Sequence, residues 1–188
     1  KIWAFFETYV GKDDNWLPPD NYQEEPVERI AHRTSPTNIG LSLLANLTAY
    51  DFGYIGTGEL IELTTNTIST MQRMEKYRGH LYNWYDTQTL QPLSPKYIST
   101  VDSGNMIGHL VTLRQGLQTI PDHKIVTGNM FEGLLDESRI LNEKLRIPAL
   151  KKFCQQLATD YQSKLESPET VKSYLDELEQ SFTRILVN

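Results

Sequence analysis

The sequence predicts an all-α protein. Apolar residues recur at three- and four-residue spacing through most of its 188 residues. Twice a serine is followed by proline where a helical pattern begins, at Ser35-Pro36 and Ser167-Pro168. The stretch from His80 to Ser99 breaks the helical period.

The elements follow in chain order. Trp3, Phe6 and Val10 share one face of a first helix, which Gly11 ends. A polar, proline-bearing stretch from Lys12 to Thr34 comes next. Loops of this length inside compact domains are binding loops, lids or disordered segments, and Trp16, Leu17 and Tyr22 argue against disorder. After Ser35-Pro36 a second helix carries Ile39, Leu43, Leu44, Leu47 and Tyr50, and Gly53 closes it. Thr57 caps a third helix with Leu60, Leu63, Ile68, Met71 and Met74, which stops near Gly79. The aromatics, Asp86-Thr87 and prolines between His80 and Ser99 predict a short β-hairpin or an ordered loop. Asp102 or Ser103 caps a fourth helix with Met106, Leu110, Leu113, Leu117 and Ile120, and Pro121 stops it. Three further helices are expected from Asn129 to Leu145, Pro148 to Leu165 and Pro168 to Val187.

Two parts differ in kind. Residues 1–120 are rich in aromatics, Gly, Asn and Thr, with two long loops between helices, and function is expected there. Residues 121–188 are charged, with amphipathic stripes and short connections, and read as a helical extension, a bundle or spacer. Both chain ends, Lys1-Ile2-Trp3 and Leu186-Val187-Asn188, run through apolar patterns without caps, as expected of a segment of a longer chain.

Composition narrows the function classes. Hydrophobic residues make up 39% and charged residues 22%, enough for a packed core and unlike a disordered chain. The net charge is −6 and no Lys/Arg cluster forms, so nucleic acid is not an expected partner. The single cysteine, Cys154, excludes an internal disulfide and fits a reducing compartment. No apolar run approaches the roughly 18 residues of a membrane span, so no direct membrane insertion is expected. The four histidines are scattered, and no phosphate-loop, dinucleotide or His-Glu-x-x-His pattern occurs; neither a metal nor another cofactor is expected. A serine nucleophile-elbow signature is also missing.

Three segments could carry chemistry. The densest is His80-Leu81-Tyr82-Asn83-Trp84-Tyr85-Asp86. Sugars present apolar C–H faces on which Tyr82 and Trp84 can stack, and hydroxyl rims that Asn83 and Asp86 can bind. The same run also reads as a hairpin whose aromatics cover the core. The second segment, His32-Arg33-Thr34-Ser35-Pro36-Thr37-Asn38, lies at a helix start where free N–H groups attract oxygens. Ser35 there reads as a plain cap, while His32, Arg33 and Asn38 together lean to a ligand role. In the third, Asp102, Asn105 and His109 share one helical face; the competing reading is a cap and a satisfied histidine. The first long loop adds Trp16, Asp20 and further carboxylates at Asp13, Asp14, Glu24 and Glu25. Glycoside chemistry usually needs a carboxyl pair, about 5–5.5 Å apart for retention and about 6.5–9.5 Å for inversion, a spacing that sequence does not give.

Five motifs occur in an order that resembles the cyclic β-1,2-glucan synthase family: Trp3-Ala4-Phe5-Phe6-Glu7, Asn15-Trp16-Leu17-Pro18-Pro19-Asp20-Asn21, His32 to Gly40, Arg78 to Thr87, and Ser99 to Asn105. The resemblance covers about residues 2–118. It implies a large inner-membrane protein in which one region elongates a β-1,2-glucan from UDP-glucose. A middle region closes the ring by transglycosylation, and a C-terminal region trims chain length. This segment resembles the start of the middle region, on the cytoplasmic side of the membrane. The implied fold is a set of helices from an incomplete α/α toroid of glucoamylase or β-1,2-glucanase type, followed by the helical extension. The implied partners are β-1,2-glucan and the remaining domains of the same polypeptide. Related glucanases carry an Asp-Gly-Gly-Asp-type segment at a comparable helix start; here Asn105 replaces the second acid of Asp102-Ser103-Gly104-Asn105. The resemblance places the family's catalytic glutamates in a later part, so the segment is expected to be silent alone and to supply glucan-binding walls. Trp16, Tyr82 and Trp84 are then expected to stack on glucose rings. Asp20, Asn38, Asn83, Asp86, Asp102 and Asn105 would bind hydroxyls, with His32 and Arg33 as orienting groups. The rival readings are a self-contained glycan-binding module, a helical assembly or spacer domain, and a hydrolase acting through Glu7, Asp20 and Glu24.

Overall fold

The computed structural model describes residues 2–124 and 126–187. Lys1 and Asn188, named above at the uncapped ends, lie outside them. Among the described residues are seven α-helices and six strands of two residues each. The chain divides into two compact units, one of Lys1–Ala49 and Thr57–Pro121, the other of Tyr50–Gly56 and Asp122–Asn188.

The first unit begins with α1 (Ile2–Tyr9), a 3₁₀ turn at Lys12–Asp14 and the strands β1 (Tyr22–Gln23), β2 (Arg29–Ile30) and β3 (Arg33–Thr34). The long polar stretch is thus ordered: β1 and β2 pair antiparallel, Tyr22 opposite Ile30. Helix α2 (Pro36–Asp51) starts as its sequence requires, with Ser35 Oγ accepting from the Asn38 N–H at 3.2 Å and proline at the first helical position. Helix α3 (Thr57–Arg73) ends earlier than Gly79. Lys76 folds back so that its ammonium donates to the carbonyls of Met71, Gln72 and Met74 at 2.6–3.1 Å, closing the helix end. Gly79 belongs instead to a hairpin of β4 (Lys76–Tyr77) and β5 (His80–Leu81), where Arg78 (φ 50°) and Gly79 (φ 88°) form a two-residue turn. Positive φ at both central positions matches the twist of the flanking strands. Strand β6 (Tyr85–Asp86) follows.

Helix α4 (Thr100–Thr119) corrects the expected cap. Ser99, not Asp102 or Ser103, is the capping residue, and its side chain accepts from the Asp102 N–H at 3.1 Å. Asp102 therefore sits inside the first turn, where the helix dipole favours a negative charge. The core of this unit gathers Leu17, Ile39, Met74, Tyr85 and Met106, one or two from each segment, with Met71, Leu81, Tyr82, Leu90 and Leu110 against it. Tyr85 is fully buried; its hydroxyl donates to the Glu75 carbonyl and accepts from the Tyr82 N–H, both at 2.7 Å. Burial pushes its phenol up to about 12.

The second unit contains α5 (Gly128–Leu145), α6 (Pro148–Asp160) and α7 (Pro168–Val187), close to the spans read from periodicity. The stretch expected as one helix from Pro148 to Leu165 resolves into α6 plus a 3₁₀ turn at Tyr161–Lys164. Phe131, Leu135, Leu150, Phe153, Leu157, Tyr161, Val171, Tyr174 and Leu178 form the core of this unit. Ser167 Oγ accepts from the Thr170 N–H at 3.2 Å, the expected cap before Pro168. Helix α5 packs on the turn at Gly53 so closely that a Cβ on Gly133 would lie 2.4 Å from the Gly53 carbonyl oxygen. Cys154 is buried in this core, and burial raises its thiol pKa.

Candidate functional site

The two long loops of the first unit meet. Strand β3 of one pairs antiparallel with β6 of the other, Arg33 opposite Asp86 and Thr34 opposite Tyr85. Asn15, in the left-handed region at φ 52°, donates its amide to the Thr87 and Gln88 carbonyls, both at 2.9 Å. Asparagine tolerates that conformation better than most residues, so one side chain supplies both the turn and the clamp.

The Arg33 N–H donates to the Ala31 carbonyl at 2.7 Å, closing a three-residue turn centred on His32 just before β3. Arg33 and its predecessor His32 accordingly serve different clusters. Arg33 lies over the Trp84 ring, 5.0 Å from its centroid, and donates from Nη2 to Asp20 Oδ2 at 2.9 Å. Asp20 Oδ1 accepts from the Asn38 amide at 3.2 Å. A second set adjoins Trp84. Thr37 Oγ1 donates to Asp102 Oδ1 at 2.5 Å and accepts from the Asn105 amide at 3.1 Å. Asn83 is buried, and the donor–acceptor pattern fixes its amide: the nitrogen donates to Asp102 Oδ2 at 3.0 Å. Its oxygen accepts from Trp84 Nε1 at 2.5 Å and from the Tyr97 hydroxyl at 2.7 Å. Asp20, Arg33, Asn38, Asn83, Trp84, Asp102 and Asn105 are thus drawn into one polar wall with Thr37 and Tyr97. What this wall can do chemically is offer directed donors and acceptors around an indole.

The remaining expected residues stand elsewhere. His32 Nδ1 meets Asp14 Oδ1 at 2.7 Å, and Thr87 Oγ1 donates to the same carboxylate oxygen. Asp86 Oδ1 is engaged within its own loop, accepting from the Thr89 N–H at 2.7 Å, the Thr89 hydroxyl at 2.9 Å and the Gln88 N–H at 3.0 Å. Burial works to raise the Asp86 pKa, but these donors outweigh it and leave the carboxyl below its ordinary value. Tyr82 packs against the core and carries the Lys96 ammonium 5.6 Å from its ring centroid. Trp16 is half-buried, and its carbonyl accepts from the Thr67 hydroxyl at 3.0 Å. His109 lies one turn beyond Asn105 and faces Gly40, where an added Cβ would fall 2.3 Å from its Nδ1. Asp13, Glu24 and Glu25 are exposed.

Tyr97 and Thr37 join the wall without having been expected as site residues. Thr37 stands within a quoted motif, but its role depends on Asp102, 65 residues away in sequence. Tyr97 is half exposed and lies in a stretch without periodicity, so no spacing signal marks it. Among the described residues no group of three His, Cys, Asp or Glu side chains gathers as a metal site. None of the described helices is long and apolar enough to cross a membrane.

Comparison with known proteins now bears on this arrangement. The chain is 47% identical over 149 residues to the cyclic β-(1,2)-glucan synthase NdvB of Rhizobium meliloti, a match covering 77% of this chain. The chain belongs to the cyclic β-1,2-glucan synthase family. It spans only 5% of that synthase's length. The match is longer than the stretch over which the motifs were read, so the family likeness runs past residue 118 into the later helices. No protein-family model matches the chain. Among solved structures, a Bacteroides fragilis protein assigned as a glucoamylase aligns at a TM-score of 0.52 and 15% identity, covering 60% of this chain and 28% of the other. That likeness concerns the fold alone, and it agrees with the expected all-helical, glucoamylase-like class.

Proposed function

We propose that this segment supplies a β-1,2-glucan-binding wall to the ring-closing transglycosylation region of a cyclic glucan synthase, without completing a catalytic centre itself. The observation that carries the reading is the joining of both long loops and the first turn of α4 into one polar wall around Trp84. Its groups suit a sugar: an indole for a C–H face, amides and a guanidinium for hydroxyls. The 47% identity to a cyclic β-(1,2)-glucan synthase supplies the substrate class. In this reading Trp84 stacks on glucose, Asn38 and Asn105 meet hydroxyls, and Arg33 orients them. Asp86 and His32 hold the loops in register. The segment works within a longer polypeptide at the cytoplasmic side of the inner membrane, and its partners are the glucan and the other domains of that polypeptide.

Calorimetric titration of linear β-1,2-glucooligosaccharides into the 188-residue chain tests this. Saturable binding that Trp84→Ala removes is expected, with no cyclic product formed by the chain alone. No heat of binding at millimolar oligosaccharide, or clear turnover, would sink it.

A second reading, a helical assembly surface of the larger enzyme, draws on α4. Val101, Ile107 and Val111 are exposed there, and Gly104 and Gly108 beside them leave open space. That reading expects no glycan affinity and binding to the rest of the polypeptide instead. The hydrolase reading loses support, since Asp20 is tied to Arg33 and Asn38.

A further inference from the structure

The proposed wall has a direction, and one residue sets it. A carboxylate oxygen only accepts hydrogen bonds, whereas a hydroxyl and an amide can face either way. Asp102 accepts at both oxygens, from Thr37 Oγ1 on Oδ1 and from Asn83 Nδ2 on Oδ2. The Thr37 proton is thereby committed, so Thr37 meets Asn105 as an acceptor and must be given an N–H. The Asn105 carbonyl is left pointing away from Thr37. On the other branch, commitment of the Asn83 nitrogen turns its oxygen to Trp84 Nε1 and the Tyr97 hydroxyl. The Tyr97 proton is used inward, and its lone pairs remain available outward. Tyr97 is half exposed and Asn105 is exposed, whereas Asn83 is buried.

Resting on the glucan-wall reading, we infer that Asp102 is a positioning residue that fixes the hydrogen-bond polarity of the wall, making Tyr97 Oη and Asn105 Oδ1 a pair of outward acceptors for glucose hydroxyl protons. Asp102 does this through Asn83 and Thr37 rather than by touching the sugar. Tyr97 thereby becomes a binding residue in its own right, with its hydroxyl tied through Asn83 to the Trp84 indole. Opposite in character are Arg33 and the Asn38 amide, which only donate from their nitrogens toward Asp20.

A swap of side chains tests the idea. In Asp102→Asn one oxygen becomes a donor, so either the Asn83–Trp84 branch or the Thr37–Asn105 branch must break. The double variant Asn83→Asp/Asp102→Asn reverses the bond between positions 83 and 102 and restores every other direction. The amide introduced at position 102 would accept from Thr37 and donate to position 83, and the carboxylate introduced at position 83 would accept from Trp84 and Tyr97. The readouts are the solvent exchange of the Trp84 indole N–H and the Asn105 side-chain amide by NMR, and glucooligosaccharide affinity. The single variant is expected to lose protection at one of the two groups and roughly tenfold in affinity; the double variant is expected to recover both. Unchanged protection in Asp102→Asn overturns the inference, as does a folded double variant that recovers neither. If the double variant does not fold, Tyr97→Phe decides. It removes one outward acceptor and keeps both Asp102 bonds, so affinity should fall about fivefold, and an unchanged affinity overturns the inference. Wild-type chain that shows the protection yet binds no glucan defeats the glucan-wall reading and leaves the polarity set by Asp102 standing.

Discussion

Arg33 is held on two sides: its guanidinium carbon lies 5.0 Å from the Trp84 ring centroid, and Asp20 Oδ2 accepts from its Nη2 at 2.9 Å. One face of the indole is therefore already occupied. A glucose ring that stacks on Trp84 uses the opposite face, or moves Arg33 aside. Arg33→Lys separates the two. Lysine keeps the charge but lacks the planar fork, so it holds Asp20 and the indole less well. If sugar uses the free face, the substitution lowers affinity and costs about 1 kcal/mol of stability, the scale of a partly exposed cation–π contact. If Arg33 competes with sugar, affinity rises. Calorimetry on the variant gives the sign.

Asn15 tests whether the loops depend on one clamp. Asn15→Ala removes two hydrogen bonds to Thr87 and Gln88 and puts a Cβ-bearing residue without a compensating side chain at φ 52°. The expected loss is about 2–3 kcal/mol. Asn15→Gly relieves the backbone but not the clamp, and should cost about 1–2 kcal/mol. Urea unfolding of both, with amide exchange at Thr89, measures the two contributions separately. Equal losses would show that backbone conformation contributes little.

The cap of α4 gives a sharper comparison. Ser99→Ala deletes the side chain that accepts from the Asp102 N–H and should destabilise by about 1 kcal/mol. Ser103→Ala changes no cap and should be near neutral. Because Ser99 also positions Asp102, the first variant should weaken oligosaccharide binding as well. A larger loss from Ser103→Ala in thermal unfolding would restore the assignment read from sequence.

That last contrast shows what the sequence made legible. Helices α5 to α7 were readable because their apolar stripes, and the Ser167-Pro168 start of α7, are local. Ser35 and Ser167 cap as expected for the same reason. Ser99 was missed because three residues, Ser99, Asp102 and Ser103, can all cap, and only packing of Asp102 on Thr37 decides among them. Gly79 read as a helix stop because a glycine in the left-handed region serves a helix end and a hairpin equally. In the site, Asp20, Arg33, Asn38, Asn83, Trp84, Asp102 and Asn105 were named from residue type, yet His32 and Asp86 were named on the same grounds and stand in loop-holding contacts. Residue type does not distinguish a group turned to the wall from one turned to the loop. That depends on the tight turn centred on His32 and on the turn after Asp86, neither of which residue type marks.

Two ionisable groups set opposite pH limits. The folded Asp86 carboxyl lies below its ordinary value, so its contribution is present above the unfolded pKa near 4 and is lost as pH falls through the lower folded value. Asp86→Asn should flatten the acid side of the stability curve. Tyr85 behaves conversely. Its folded pKa of about 12 exceeds the unfolded value of about 10. Its stabilisation is complete below pH of about 10 and is lost as pH rises through about 12, because the unfolded chain ionises first. Urea midpoints between pH of about 8 and about 12, followed with phenolate absorbance, should show this decline. Tyr85→Phe should remove its share of the slope while lowering the plateau, since the Glu75 carbonyl and Tyr82 N–H lose their partner.

Two glycines in helices predict opposite outcomes for one substitution. At Gly133 an added Cβ would sit 2.4 Å from the Gly53 carbonyl oxygen, which is backbone and belongs to a turn with φ 74°. Neither partner can rotate away, so α5 must shift off the turn. Gly133→Ala should destabilise the second unit by about 1–3 kcal/mol, the range for overpacking. At Gly108 in α4 nothing lies within 4 Å of the added atom. There the helix gains alanine's propensity without a clash, and Gly108→Ala should stabilise by about 0.5–1 kcal/mol. Thermal unfolding of the two variants gives the signs. If another helix seats on α4 in the full-length synthase, the gain at Gly108 should appear in this chain but shrink or reverse there, where the extra methyl meets a neighbour. The same substitution thus separates a solvent-facing α4 from one that forms an assembly surface.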